Sequence, residues 1–141
     1  MDTYTVLLVD DEEDVIQVIM KKINWESLGF SVIGYANNGV KALEMVEEFQ
    51  PDVVVTDIKM PYMTGLELAK AARELQPEIE IVIFSGYNDF SYAKEALHYG
   101  VVDYVLKPVD PGEFHKTYCS VRDHILEKNT QKGEIARQQD D

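Results

Sequence analysis

The sequence has little that would place it in a membrane, in an oxidising compartment or on a nucleic acid. It has one cysteine, Cys119, which excludes an internal disulfide and fits a reducing compartment. No apolar run approaches the roughly 18 to 20 residues that span a bilayer, and the first residues lack the basic region of a signal peptide. The chain has only 13 basic residues but 26 acidic ones. Its net charge of −13 disfavours binding to the phosphate backbone of nucleic acids and to anionic membranes. We therefore expect a cytoplasmic protein that contacts neither nucleic acid nor membrane.

The length and composition suit one globular domain with a polar extension. A chain of 141 residues, of which 45% are hydrophobic, can bury a core without disulfides or metals. Beyond residue 126 the sequence is polar, and Ile135 is its only large apolar residue. We expect a domain over residues 1–126 and a polar linker or tail over residues 127–141.

Strand-like and helix-like segments alternate along the chain. Short apolar runs rich in β-branched residues are followed by stretches in which apolar residues recur at helical spacing. Five such strand–helix units predict an α/β fold, in which helices cover both faces of a doubly wound, five-stranded parallel sheet. The predicted strands span residues 5–9, 30–35, 53–56, 79–84 and 103–106.

Four of the five predicted strands end in residues that can carry chemistry. These are Asp10 and Asp11 after the first strand, Asp57 after the third, Ser85 after the fourth and Lys107 after the fifth. Ligands of open parallel sheets bind beyond the carboxyl ends of the strands. A single acid after a strand is usually a cap or a turn residue, but four such strand ends together indicate a site.

The residue types at these strand ends predict a metal-dependent phosphoryl acceptor. Three clustered carboxylates repel one another unless a cation is present, and Mg²⁺ is a hard ion that prefers oxygen ligands. With the ion in place, one carboxylate can attack phosphorus, because the metal and the lysine neutralise the equatorial oxygens. The serine hydroxyl can donate to the same oxygens. The product would be an acyl phosphate on an aspartate.

Four short motifs at the strand ends follow a known order and spacing. They are Val9-Asp10-Asp11-Glu12, Asp57-Ile58-Lys59-Met60-Pro61 with Gly65, Phe84-Ser85-Gly86, and Asp103-Tyr104-Val105-Leu106-Lys107-Pro108. With them, residues 4 to 126 resemble the receiver domains of bacterial two-component response regulators. The resemblance implies a flavodoxin-like sheet of order 2-1-3-4-5 with five helices. Two further stretches, Trp25-Glu26-Ser27-Leu28-Gly29-Phe30 and Ser85-Gly86-Tyr87-Asn88-Asp89-Phe90, resemble the subgroup that precedes AraC-type DNA-binding domains.

The resemblance assigns a role to each residue of the acceptor site. Asp57 would take the phosphoryl group from a sensor histidine kinase. Asp10, Asp11, Asp57 and the main-chain carbonyl of Lys59 would hold Mg²⁺. The domain would act as a phosphoacceptor switch rather than an enzyme, with at most self-catalysed phosphorylation and dephosphorylation. It would control transcription through an output domain outside this chain.

The resemblance also implies how the signal leaves the acceptor site. Lys107 and Ser85 would contact the phosphoryl group, and Ser85 and Tyr104 would move when it arrives. Lys59 and Tyr87 occupy the positions that tune dephosphorylation. We expect phosphorylation to promote a homodimer through the surface of the fourth helix, the fifth strand and the fifth helix.

Several other polar or aromatic residues have simpler interpretations. Glu12, Glu13 and Asp14 are interpreted as the solvated start of a helix, where negative charge suits the helix dipole. We interpret His124 as a surface or helix-end residue, and Trp25 as a packing anchor for its loop.

Two alternatives from other classes stay open at this point. A phosphohydrolase of the aspartyl-phosphate type would use Asp10 on the first strand as its nucleophile, and would leave Asp57 without a role. A nucleotide- or flavin-binding module would need glycines in the first strand–helix turn, where this sequence has acids. Mapping a trapped phosphoaspartate separates the first alternative, and the absorbance of the purified protein tests for a flavin.

Overall fold

A computed structural model describes residues 3–58, 60–85, 103–106, 116 and 118–127 of the chain, and of residues 85 and 103–106 it describes the backbone alone. Strands and helices alternate as the sequence predicts. The strands are β1 (Tyr4–Val9), β2 (Phe30–Ala36), β3 (Val53–Thr56), β4 (Glu80–Ser85) and β5 (Asp103–Leu106). The helices are α1 (Glu13–Lys22), α2 (Gly39–Phe49), α3 (Gly65–Leu75), a 3-10 turn at Glu26–Leu28, and a C-terminal helix over residues 118–127.

The strands form one parallel sheet in the order β2-β1-β3-β4-β5. The predicted α/β class is confirmed, and the strand order is the one that the resemblance to receiver domains implies. The predicted helix after β4 lies outside the described residues, as does the predicted tail from residue 128 onward. Among the helices that the structure does describe, none has the length and apolar character needed to cross a membrane.

Two hydrophobic cores cover the two faces of the sheet. Alternate residues of β3 divide between them, since Val53 and Val55 pack with α1 and the C-terminal helix, whereas Val54 packs with α2 and α3. All three valines are buried, as expected for a strand covered on both faces. Trp25 is 6% exposed and its ring lies 4.6 Å from the ring of Tyr118, which confirms Trp25 as a packing anchor.

Side-chain caps fix where two of the helices begin. The side chain of Asn38 accepts a hydrogen bond from the backbone N–H of Lys41 at 2.8 Å and so caps α2. Thr64 and Glu67 form a reciprocal capping box at the start of α3, with N···O distances of 3.1 and 3.2 Å. Because α2 follows β2 and α3 follows β3, both helices start at the carboxyl edge of the sheet, where the predicted site residues also lie.

Candidate functional site

Backbone pairing brings Asp10 and Asp57 to neighbouring positions at the carboxyl edge of the sheet. Val9 and Thr56, the last residues of β1 and β3, are register partners. The backbone N–H of Asp57 donates to the carbonyl oxygen of Val9 at 3.0 Å. Asp10 and Asp57 each follow one of these partners directly. The two strands thus deliver two carboxylates to adjacent points on one edge.

Asp10 belongs to a cluster of three carboxylates. Oxygens of Asp10, Asp11 and Glu12 lie within 4.8 Å of one another. Asp10 is completely buried, and its Oδ1 accepts a hydrogen bond from the backbone N–H of Glu12 at 2.9 Å. Asp11 and Glu12 are exposed. Carboxylate oxygens are the ligands that hard divalent cations prefer, so the chemistry of this donor set fits Mg²⁺.

Glu12 belongs to two structural features, the start of α1 and the carboxylate cluster. It is the N-cap residue of α1, and Glu13 and Asp14 occupy the first turn of that helix, so the interpretation of these acids as a helix start is confirmed. Glu12 also lies in the carboxylate cluster, which the sequence interpretation left out. The place of Glu12 directly after Asp10 and Asp11 was the only signal in the sequence for this second position.

The carboxyl group of Asp57 is held in a nearly closed environment. Asp57 is 5% exposed, and its Oδ1 accepts a hydrogen bond from the backbone N–H of Ile58 at 2.7 Å. The hydroxyl of buried Thr56 donates to the carbonyl oxygen of Asp57 at 2.9 Å. These contacts limit the rotation of the aspartate. A fixed carboxylate is suited to attack along one line.

The loop after Asp57 is closed by Gly65. The backbone N–H of Gly65 donates to the carbonyl oxygen of Ile58 at 2.7 Å. A Cβ on Gly65 would lie 2.9 Å from the carbonyl carbon of Asp57 and would overlap its oxygen. Only a residue without a side chain can approach the acceptor backbone this closely.

For the remaining predicted site residues, the structure describes only the backbone, or the residue lies outside its described part. The backbones of Ser85 and Tyr104 are in the sheet, where Ser85 pairs with Leu106 and Tyr104 pairs with Ile83. The side chains of both lie outside the described part. Lys59, Tyr87 and Lys107 also lie wholly outside it.

Comparison with known proteins gives a consistent result over most of the chain. The profile of the response regulator receiver domain family matches residues 6–118. The transcriptional regulatory protein YesN of Bacillus subtilis is 48% identical over 105 residues, which are 74% of this chain and 28% of that protein. The transcriptional regulatory protein HptR of Staphylococcus aureus is 33% identical over 130 residues, which are 92% of this chain and 51% of that protein. The chain thus spans about half or less of the length of these relatives.

Solved structures share the fold. The REC domain of AraT, a response regulator of Geobacillus stearothermophilus, has a TM-score of 0.85 and 35% identity, covering 90% of this chain and 98% of that one. A two-component transcriptional regulator AraC of Clostridium phytofermentans has a TM-score of 0.79 and 30% identity, covering 92% of this chain and 99% of that one.

Proposed function

Since this chain belongs to the response regulator receiver domain family, we propose that Asp57 is the residue that accepts the phosphoryl group. The donor is a sensor histidine kinase, and the reaction requires Mg²⁺. The observation that carries the proposal is the paired delivery of buried Asp10 and Asp57 to one edge of the sheet, beside two more carboxylates. Two neighbouring buried carboxylates are costly unless a cation neutralises their charge.

The proposed reaction is one displacement at phosphorus. A carboxylate oxygen of Asp57 attacks the phosphorus of the donor, and a new P–O bond forms as the P–N bond of phosphohistidine breaks. The imidazole leaves with the electron pair of that bond and takes up a proton. When bound, Mg²⁺ neutralises charge on the phosphoryl oxygens. Asp10, Asp11, Asp57 and the main-chain carbonyl of Lys59 would hold the ion, with Glu12 adding negative charge beside it.

Burial supports Asp57 over Asp10 as the nucleophile. The phosphohydrolase alternative requires attack by Asp10, which has no exposed surface and lies within 4.8 Å of two other carboxylates. Those carboxylates repel an incoming phosphoryl group unless a cation lies between them. Asp57 keeps 5% of its surface exposed and lies outside that cluster of three.

Transmission of the signal depends on residues of β4 and β5. We assign Lys107 and Ser85 to contacts with the phosphoryl oxygens, and we assign Ser85 and Tyr104 to the switch. A charge-assisted hydrogen bond contributes about 1.5 to 3 kcal/mol, and two of them approach the roughly 5 kcal/mol that inverts a two-state equilibrium. The proposed outcome is a homodimer through the surface of β5 and the predicted fourth and fifth helices. Sedimentation with and without beryllofluoride and Mg²⁺ tests it.

The proposed output is control of transcription in the cytoplasm. YesN and HptR are named as transcriptional regulatory proteins, and each is longer than the part that matches this chain. An AraC-type DNA-binding module after the receiver would supply the nucleic-acid contact that an acidic domain of this kind disfavours. The receiver itself would also catalyse its own phosphorylation by small donors and its own dephosphorylation.

Labelling with acetyl phosphate tests the acceptor directly. The unaltered protein should gain one phosphoryl group in the presence of Mg²⁺, and peptide mapping should place that group on Asp57. Asp57→Asn removes the nucleophile but keeps the shape, so this variant should stay unlabelled while its circular dichroism is unchanged. A phosphoryl group mapped to Asp10 would instead establish the phosphohydrolase chemistry.

A further inference from the structure

A strained turn lies five residues after the proposed acceptor, with Tyr62 at its centre. The φ angle of Tyr62 is +71°. The backbone N–H of Met63 donates to the carbonyl oxygen of Pro61 at 2.8 Å. A hydrogen bond between residues two apart, around a central residue with positive φ, defines the rare form of the γ-turn. A bulky residue with positive φ is an outlier, and such a conformation costs of the order of 1 to 3 kcal/mol.

The turn is held by contacts of the three residues that follow Tyr62. Gly65 closes the loop through its hydrogen bond to Ile58. Met63 packs so tightly on Gly39 that a Cβ there would lie 2.8 Å from the Cβ of Met63. Thr64 is fixed by its capping box. The backbone that follows Tyr62 therefore has little freedom to relax the turn.

The side chain of Tyr62 projects from this rigid turn into solvent. It is 91% exposed, the largest exposure among the large hydrophobic residues that the structure describes. Burial of the Tyr62 ring therefore contributes almost no free energy to offset the backbone strain. Glycine or asparagine would adopt this backbone conformation at lower cost. Strain that the folded domain does not use points to a role outside the domain.

We propose that Tyr62 is a recognition residue for the protein that donates the phosphoryl group to Asp57, an inference that rests on the proposed function. Tyr62 is five positions after Asp57, so their Cα atoms lie within about 18 Å of each other. A protein that brings phosphohistidine to Asp57 must cover this edge of the sheet. Tyrosine is a frequent interface anchor, and a backbone fixed in advance lowers the entropy lost on docking. The partner surface should offer an apolar pocket for the ring.

The test compares a protein donor with a small one on the same variants. The protein donor is the autophosphorylated sensor-kinase core, chosen from a panel, that transfers fastest to the unaltered chain, and the small donor is acetyl phosphate. Tyr62→Asn removes the ring and tolerates the turn, whereas Tyr62→Phe keeps the ring. Phe49→Ala is the matched control, because Phe49 is a 52% exposed aromatic at the end of α2, away from the carboxyl edge.

With the kinase core, Tyr62→Asn should lower kcat/KM about 10-fold or more, mainly through KM, as expected when an interface anchor is lost. Labelling by acetyl phosphate should stay within about 2-fold, because the ring does not touch the small donor. Tyr62→Phe should keep most of the kinase rate, and Phe49→Ala should change neither rate.

Each other outcome overturns the inference in a recognisable way. Equal kinase rates for Tyr62→Asn and the unaltered chain would show that the ring recognises nothing on the donor. Equal losses with both donors would show that Tyr62 shapes the acceptor loop instead. A decrease in Phe49→Ala as large as that in Tyr62→Asn would show a general effect of losing surface aromatics. Failure of acetyl phosphate to label the unaltered chain would overturn the proposed function itself.

Discussion

Nδ1 of His124 lies 3.0 Å from Oε2 of Glu80, and this contact joins the C-terminal helix to the first residue of β4. The two side chains differ in their surroundings, since that of His124 is 48% exposed and that of Glu80 only 1%. The interpretation of His124 as a residue of the helix surface is therefore incomplete. The contact lies at the amino end of β4, and thus at the opposite edge of the sheet from Asp57.

Loss of this contact should weaken the domain without affecting the acceptor. His124→Ala removes one partner of a buried carboxylate, so we expect the free energy of unfolding to fall by about 1 to 2 kcal/mol. Urea denaturation followed by circular dichroism measures it. Asp123→Ala, at an exposed position of the same helix, should change stability by less than about 0.5 kcal/mol. Equal stability of the two variants would mean that the contact contributes nothing.

Gly65→Ala should damage both stability and phosphorylation. The new methyl group would overlap the carbonyl of Asp57, and a backbone obstacle cannot move aside, so we expect a loss of about 3 kcal/mol. Gly34→Ala is the matched comparison, because its Cβ would meet only the terminal methyl of Met45, at 2.9 Å. That flexible side chain can move, so the loss there should stay below about 1 kcal/mol. Unfolding midpoints and acetyl phosphate labelling of both variants check the contrast.

The carboxylate cluster predicts how labelling depends on Mg²⁺. Asp11→Asn removes a proposed ligand at an exposed position, so the Mg²⁺ concentration for half-maximal labelling should rise about 10-fold. Glu12→Gln removes only neighbouring charge and should raise it by about 2- to 3-fold. Chelation with EDTA should abolish labelling of the unaltered protein. A larger effect of Glu12→Gln than of Asp11→Asn would make Glu12 the ligand.

The phosphoryl group on Asp57 should be long-lived. In the receiver family, water is oriented by an amide or an acid at the positions that Lys59 and Tyr87 occupy here. The ammonium of Lys59 only donates hydrogen bonds, and the neutral phenol of Tyr87 is a weaker acceptor than a carboxylate. The double change Lys59→Asn with Tyr87→Glu should therefore accelerate loss of phosphate after the donor is removed. Decay is measured by intact mass at successive times. An unchanged decay rate would show that these two residues do not control the lifetime of the phosphoryl group.

Local sequence determined the elements and the edge where the chemistry lies. The apolar run of β3 predicted a buried strand, and parallel pairing then places the residues that follow Val9 and Thr56 at one edge. The helix starts were also local, because Asn38 caps α2 with its own side chain. The strand pattern thus predicted that Asp10 and Asp57 share one edge. Their adjacency depends on the strand order, which the resemblance to receiver domains implied.

Other features were decided only by tertiary structure, because they depend on where distant segments meet. Glu80 and His124 are 44 residues apart in sequence, and no periodicity relates them. The approach of Gly65 to the backbone of Asp57 depends on how the loop closes onto β3. The strained turn at Tyr62 is held by the packing of Met63 against Gly39, which lies 24 residues earlier in the sequence. Propensity and spacing describe one segment at a time, whereas these contacts arise from the packing of several segments.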